Sequence, residues 1–285
     1  MTIGYERPTL PFMGSLQYVC APPYSRLIEY SSPSSLVGLP AGSIILATHA
    51  SVDAVWQISH SSPAALFVLG LEIGQGISSI ELESYRRNGV AAFLVVAPLG
   101  PDIGQLVTVA RMSARVTPGA LAIRLRLFGH VIAPAFELAI EGLAGCQEAW
   151  TAKDWAAAIG ESVRNIERRC ARDWDVPEPR RWLDLIRAIR AVQALQCDAQ
   201  HSVESTLLGA GFTDPQSARR LLQRVCSASP SSIRCLIGWY FVLERWCARA
   251  WNRNACTAPG SGRTAHARVL DSPAPHGSLL RSPPI

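Results

Sequence analysis

The sequence predicts a small α/β half followed by an all-α half, and three features carry that expectation. Short apolar runs alternate with helix-like stretches between residues 40 and 128. From about His130 the pattern turns to helical periodicity and keeps it to about Ala250. The chain of 285 residues, 48% of them apolar, is long enough for a core in each half.

Residues 1–39 are rich in proline, serine and glycine and read as an irregular segment. Gly42-Ser-Ile-Ile-Leu-Ala-Thr48 is the first run suited to a buried strand, and a helix-like stretch follows from Ser51 to Ser61. Ala64–Leu71 reads as a second strand, Ile77–Asn88 as a helix ending at Gly89, and Val90–Val96 as a third strand stopped by Pro98. A helix over Ile103–Ser113 and a strand over Ala120–Leu127 extend the alternation. Residues 40–128 therefore read as a small parallel sheet with helices, an α/β domain for sensing or dimerisation. A connecting helix is expected over 129–147, with Pro134 near its start, and a helical domain over 148–248. The tail, 249–285, is rich in proline, serine, glycine and arginine and reads as disordered.

A parallel sheet places functional groups at the C-terminal ends of its strands, which here offer Thr48, His49, Glu72 and the Pro98–Asp102 turn. A phosphorylatable receiver domain needs an acidic cluster after its first strand and an aspartate after its third. Neither occurs in that order, so if the sheet is receiver-like in shape its role is contact or dimerisation, and a homodimer through this domain is a candidate assembly. The glycines between Gly70 and Gly76 fit neither a Gly-x-Gly-x-x-Gly nor a Walker pattern. His49, Asp53, His60 and Glu72 are the residues an enzyme reading would use. No nucleophile elbow or metal-ligand spacing surrounds them, so no catalytic residue, cofactor or metal is expected and the chain does not read as an enzyme. The eight cysteines form no Cys-x-x-Cys pair and read as free thiols of a reducing cytoplasm. The apolar stretches around Ala64–Leu71 and Val90–Leu99 are far shorter than a bilayer span, so no membrane is expected.

Charge is distributed unevenly. Residues 1–150 carry 8 basic and 10 acidic side chains, residues 151–250 carry 15 and 11, and the rest carry 4 and 1, so the positive balance lies in the C-terminal part. Nearly all of it is arginine, whose planar fork of donors suits phosphates and guanine edges. High-GC coding bias gives the same composition.

Two similar units lie in that part. In the first, Thr151 and Asp154 form a cap pair for a short helix carrying Trp155 and Ala156, Gly160 supplies a turn, and Ser162 caps a second helix. Ile166 and Cys170 of that helix, four apart, face inward and leave Arg164, Glu167 and Arg168 outside. About fifty residues later a helix over Val203–Leu208 is followed by a turn at Gly209–Gly211 and a helix opened by Asp214-Pro215. Ala218, Leu221, Leu222 and Val225 face inward there, leaving Gln216, Ser217, Arg219, Arg220 and Gln223 outside. Trp182, Leu185, Ile186, Ile189, Val192 and Leu195 mark a helix able to hold both units at a fixed distance, with Arg180, Arg181, Arg187 and Arg190 on its other side. Each unit has the layout of a helix-turn-helix. Tryptophans 155, 182, 239 and 246 share stripes with apolar residues and read as core anchors, not as platforms for stacked bases.

The segment Gly211-Phe-Thr-Asp-Pro-Gln-Ser-Ala-Arg-Arg-Leu-Leu-Gln-Arg224, with Ser229-Pro230 and Ile233-Arg234 after it, resembles the second helix-turn-helix of the AraC family of bacterial transcription regulators. Asp154-Trp-Ala-Ala-Ala-Ile-Gly160 through Ser162 and Arg168 matches the first unit more loosely, and Pro179-Arg-Arg-Trp-Leu183 resembles the start of the family's linker helix. The resemblance implies a double helix-turn-helix domain over 148–248 that reads two adjacent major-groove segments of double-stranded DNA, with RNA polymerase a further candidate partner. It carries base-edge contacts over to Arg164, Glu167 and Arg168 and to Gln216, Ser217, Arg219 and Arg220; Lys153, Arg180 and Arg181 are the expected phosphate contacts. Ala218 stands where the family usually has an aromatic, Cys170 and Cys226 where it has phenylalanine, and Ser227 where it has glycine. Those departures suit a differently packed core, or a helical protein-interaction module whose degenerate units no longer bind DNA.

Overall fold

Residues 17–30, 33–48, 50–72, 76–96, 101–114, 118–145, 151–198 and 200–251 are described by the structure, a computed structural model. Residues 1–16, His49, Pro98, the 146–150 part of the expected connection and the tail from 252 lie outside the described residues. Five strands, β1 (Gln17–Cys20), β2 (Ile28–Tyr30), β3 (Ile44–Thr48), β4 (Leu66–Glu72) and β5 (Val90–Val96), form one sheet in the order β2-β1-β3-β4-β5. Strands β3, β4 and β5 are parallel, linked by α1 (Val52–Ser61) and α2 (Ser79–Arg87), as the alternation predicts.

Two expectations about this half are corrected. The sheet is mixed, because β1 runs antiparallel to both β2 and β3 and both strands lie in the segment read as irregular. Tyr18, Val19 and Cys20 are good strand residues, but the run is four residues long and its partner only three, too short for periodicity to stand out among prolines and serines. The loop between β2 and β3 also holds a single 3-10 turn at Pro33–Leu36. The second correction concerns Ala120–Leu127, which belongs to a helix, α4 (Pro118–Leu127), and not to a strand. Leu121, Ile123, Leu125 and Leu127 alternate with Ala122, Arg124 and Arg126 and so fit period two. The buried set Leu121, Ala122 and Leu125 equally fits one face of a helix, which alanine, leucine and arginine favour.

Helix α3 (Ile103–Ser113) begins at Asp102, whose carboxylate accepts from the Gln105 amide, and α5 (Pro134–Gly145) follows α4. The remaining helices are α6 (Ala152–Ala158), α7 (Val163–Arg172), α8 (Pro179–Cys197), α9 (Val203–Gly209), α10 (Pro215–Cys226), α11 (Pro230–Arg234) and α12 (Tyr240–Ala250). No helix among the described residues is long and apolar enough to cross a membrane. Cys20, Cys170, Cys197, Cys226, Cys235 and Cys247 are free thiols.

One sheet face, with Ile45, Ala47, Phe67 and Leu69, packs against Val55 and Ile58 of α1. The other, with Ile44, Leu46, Leu66, Val68, Ala92 and Leu94, opens into an apolar core that continues through α3, α4 and α5 to Trp182, Ile189, Trp239 and Phe241. The α/β half and the helical half thus share one core. Gly42 sits at a close approach between them: its φ is +79°, and a Cβ there would lie 3.0 Å from the Tyr24 hydroxyl oxygen and 3.1 Å from Leu236.

Arg124 fastens the same junction from within. Its side chain is 2% exposed, and its guanidinium donates to the carbonyls of Pro63 (3.2 Å), Ala65 (3.3 Å) and Gly89 (2.8 Å) while lying 3.8 Å over the Tyr240 ring. Burial lowers its pKa from the usual arginine value, and the Tyr240 contact opposes that shift.

Beside α8, Trp182 meets Phe136 of α5 edge-on at 4.9 Å and Trp246 of α12 at 4.5 Å, while its indole donates to the Pro177 carbonyl. His130 stacks at 3.9 Å on Trp251, and burial pushes its pKa down to about 4. A histidine held neutral in the folded state contributes stability that is complete above its unfolded pKa of about 6.5 and is lost as the pH falls from there toward 4, because the unfolded chain takes the proton first. His130→Phe keeps the stacking and removes the titration. Its unfolding free energy is expected to fall less steeply than that of the wild type between those two pH values, as measured by urea titration.

Candidate functional site

The helical half presents one concave surface, and its walls follow from local sequence. Thr151 and Asp154 form a capping box that starts α6: the Asp154 amide donates to the Thr151 hydroxyl, and the Thr151 amide donates to the Asp154 carboxylate. Trp155 is fully buried and donates from its indole to the Ala139 carbonyl (2.8 Å), tying α6 to α5. Gly160, at φ +68°, turns the chain into α7, whose first turn is capped by Ser162.

Only Ile166 and Cys170 of α7 are buried, so Arg164, Glu167 and Arg168 stand exposed. Burial raises the Cys170 thiol to about 12, which leaves it an uncharged packing group. Arg169 pairs with Glu161 at 2.6 Å and covers the Trp174 ring, fixing the base of the helix. Arg168 donates to Asn165 one turn back.

The second wall is built more firmly. Asp214 caps α10 by accepting from the Ser217 amide (2.8 Å), a bond that holds its carboxyl below the ordinary range; Pro215 fills the first helical position. Ala218, Leu221, Leu222, Val225 and Cys226 are buried against neighbouring helices. At the far end Ser227 adopts the left-handed conformation (φ 51°), a position that favours glycine. Arg245 of α12 donates to the Cys226 carbonyl and Arg249 to the Arg224 carbonyl, so two cations complete the C-terminal end of α10. Gln216, Arg219 and Arg220 are exposed, and Ser217 is half-buried, with its hydroxyl donating back to the Asp214 carbonyl.

Helix α8 supplies the floor between these walls. A cleft of about 1110 Å³ runs from Glu167 and Ala171 of α7 across Arg180, Asp184 and Arg187 to Arg224 of α10. A second, of about 510 Å³, continues from the same Asp184, Arg187 and Arg224 to Ser217 and Arg220. Helices α7 and α10 therefore border one continuous depression, α7 through Glu167 and Ala171 and α10 through Ser217, Arg220 and Arg224. Four arginines and one glutamate lie on α7, and three arginines and no acid on α10. Asp175, Glu178 and Asp184 temper the floor: Asp184 pairs with Arg224 at 2.9 Å and Glu178 with Arg181 at 3.2 Å.

The expected site residues are not equally placed. Glu167 and Arg220 line the depression; Arg164, Arg168 and Gln216 are exposed on the same helices but outside its lining, and Arg219 is exposed but paired with Glu204 of α9 at 3.1 Å. Lys153 is exposed on the first turn of α6, and Arg180 lines the cleft. Arg181 is half-buried and also donates to the Ala250 carbonyl at 3.2 Å, so it anchors α12 to α8. The structure adds Arg187 and Arg224 to the depression. Arg224 was readable as the residue one turn beyond Arg220 on the same helix face, and Arg187 as part of the basic side of α8; that this side floors a depression needed the packing. Among the described residues, no group of three or more histidine, cysteine, aspartate or glutamate side chains is placed to hold a metal ion. No protein-family model matches the chain, and no curated protein sequence matches it.

Proposed function

We propose that this chain is a sequence-specific DNA-binding transcription regulator, with α6–α7 and α9–α10 acting as two helix-turn-helix units of the kind the sequence resembles. What supports this reading best is that α7 and α10 border one depression floored by α8, with Glu167 of the one and Ser217, Arg220 and Arg224 of the other lining it. Two such helices suit neighbouring major-groove segments when they lie roughly 34 Å apart along the duplex. The phosphate ridges between those segments would then lie over Arg180, Arg187 and Arg224. In this reading Arg164, Arg168 and Arg220 suit guanine edges and Gln216 suits adenine, while Lys153 and Arg180 hold phosphates.

The test is a selection of duplexes from a random pool, followed by salt titration of the winner. Arg164→Ala and Arg220→Ala are each expected to weaken binding to the selected site by about 1–3 kcal/mol, at different half-sites, with little change on random duplex. Affinity is expected to fall steeply with salt. If both variants bind both duplexes as the wild type does, α7 and α10 do not read bases. The second reading, a helical protein-interaction module, draws on the ion pairs that neutralise Arg181, Arg219 and Arg224; under it no duplex is enriched.

A further inference from the structure

We propose that β5 is a self-association edge, whose outer side pairs antiparallel with β5 of a second copy of this chain and joins two sheets across a two-fold axis. Strand β5 ends the sheet, and no strand among the described residues pairs with its outer side. The N–H and C=O groups along such an edge are satisfied best by another extended strand.

The two edges of this sheet differ in how they are guarded. At the β2 edge the strand is three residues long and carries the exposed charge of Glu29. At the other edge, β5 is Val-Ala-Ala-Phe-Leu-Val-Val, with no charge, proline or glycine, and Val95 is 57% exposed. An irregularity interrupts the register at the start of β5, but Ala92–Val96 pairs continuously with Val68–Glu72, so five residues keep regular strand geometry. Natural sheets use short strands, charges and prolines to prevent edge pairing, and β5 has none of these.

A second copy is the occupant that the chemistry favours. Antiparallel pairing of β5 with itself sets apolar residues against apolar residues, brings no like charges together and closes the assembly at two. Charge along α2 fits the same axis. Helix α2 connects β4 to β5 and so runs opposite to them, with Glu81, the capping partner of Ser78, and Glu83 toward its start and Arg86 and Arg87 at its end; Glu83 and Arg87 pair within the helix at 3.0 Å, yet both stay exposed. A two-fold through β5 orients the two α2 helices antiparallel, with the acidic end of one toward the basic end of the other.

Sedimentation equilibrium of the full chain over a concentration series is expected to give a dimer. Val95→Lys, which sets a lysine from each copy at the pairing edge, is expected to weaken association by at least about tenfold with an unchanged circular dichroism spectrum. Ile28→Lys on β2 is expected to leave the dimer intact. Independently of any variant, amide exchange in Ala92–Val96 of the wild type is expected to slow as concentration rises. A wild-type chain that stays monomeric, a dimer that survives Val95→Lys, or exchange that ignores concentration overturns the proposal. So does dissociation by Ile28→Lys alone, which would place the contact at β2.

Discussion

Arg124→Met is expected to lower the unfolding free energy by about 2–4 kcal/mol, read as a drop in the urea midpoint with little change in slope. Methionine keeps most of the aliphatic length but leaves the carbonyls of Pro63, Ala65 and Gly89 without this donor, the bonds to the latter two being buried. Each buried acceptor left bare costs about 1–3 kcal/mol, and relief of the arginine's own desolvation offsets part of the sum. Arg124→Lys retains the charge but not the planar fork that reaches three carbonyls and covers the Tyr240 ring, so it is expected to fall between methionine and the wild type. Tyr240 opens α12, and α12 supplies Arg245 and Arg249 to the end of α10. Faster amide exchange in α12 and in the last turn of α10 should therefore accompany the loss. A change below about 1 kcal/mol would mean that these carbonyls find other donors.

Trp182→Ala is expected to cost about 3–5 kcal/mol, the range for deleting a fully buried large aromatic. The indole sits on α8 at full burial, between Phe136 of α5 and Trp246 of α12, so its removal leaves a cavity where three helices meet. Trp182→Phe keeps much of the ring packing and loses the bond to the Pro177 carbonyl, for an expected cost of about 1–2 kcal/mol. Calorimetric melting of the two variants checks the ordering. If alanine costs no more than phenylalanine, Trp182 does not anchor the floor of the depression.

The parts of the fold that were legible in the sequence share a physical property: their signals are local. Thr151 with Asp154, Ser162 with its turn glycine and Asp214-Pro215 each satisfy helix-end amides with a side chain three residues away or fewer, so the starts of α6, α7 and α10 can be read without any tertiary contact. The inward and outward faces of α7 and α10 follow from spacing in the same way. Strands β1 and β2 were illegible because what stabilises them is pairing with residues nine or more positions away. The Leu121–Leu127 run was ambiguous because two periods fit it equally. Arg124 resembled any other basic residue in an apolar run, and only the arrival of three carbonyls from the turns just before β4 and β5 gives it a role. Of the candidate site, the exposed residues of α7 and α10 and the basic side of α8 with Arg187 were legible; which of them line one depression was not, because that depends on how the three helices pack.

The shared core has a consequence for modularity. A fragment cut before residue 148, as one would cut an autonomous helical domain for a chimera, leaves behind Leu121, Leu125, Phe136 and Ile140, which pack in the same cluster as Trp155, Trp182 and Trp239. The freed flank would be greasy and would carry the unfilled place of Arg124 beside Tyr240. Transplants of the helical half should therefore keep α4 and α5, and with them the guanidinium that joins the turns before β4 and β5 to Tyr240 of α12.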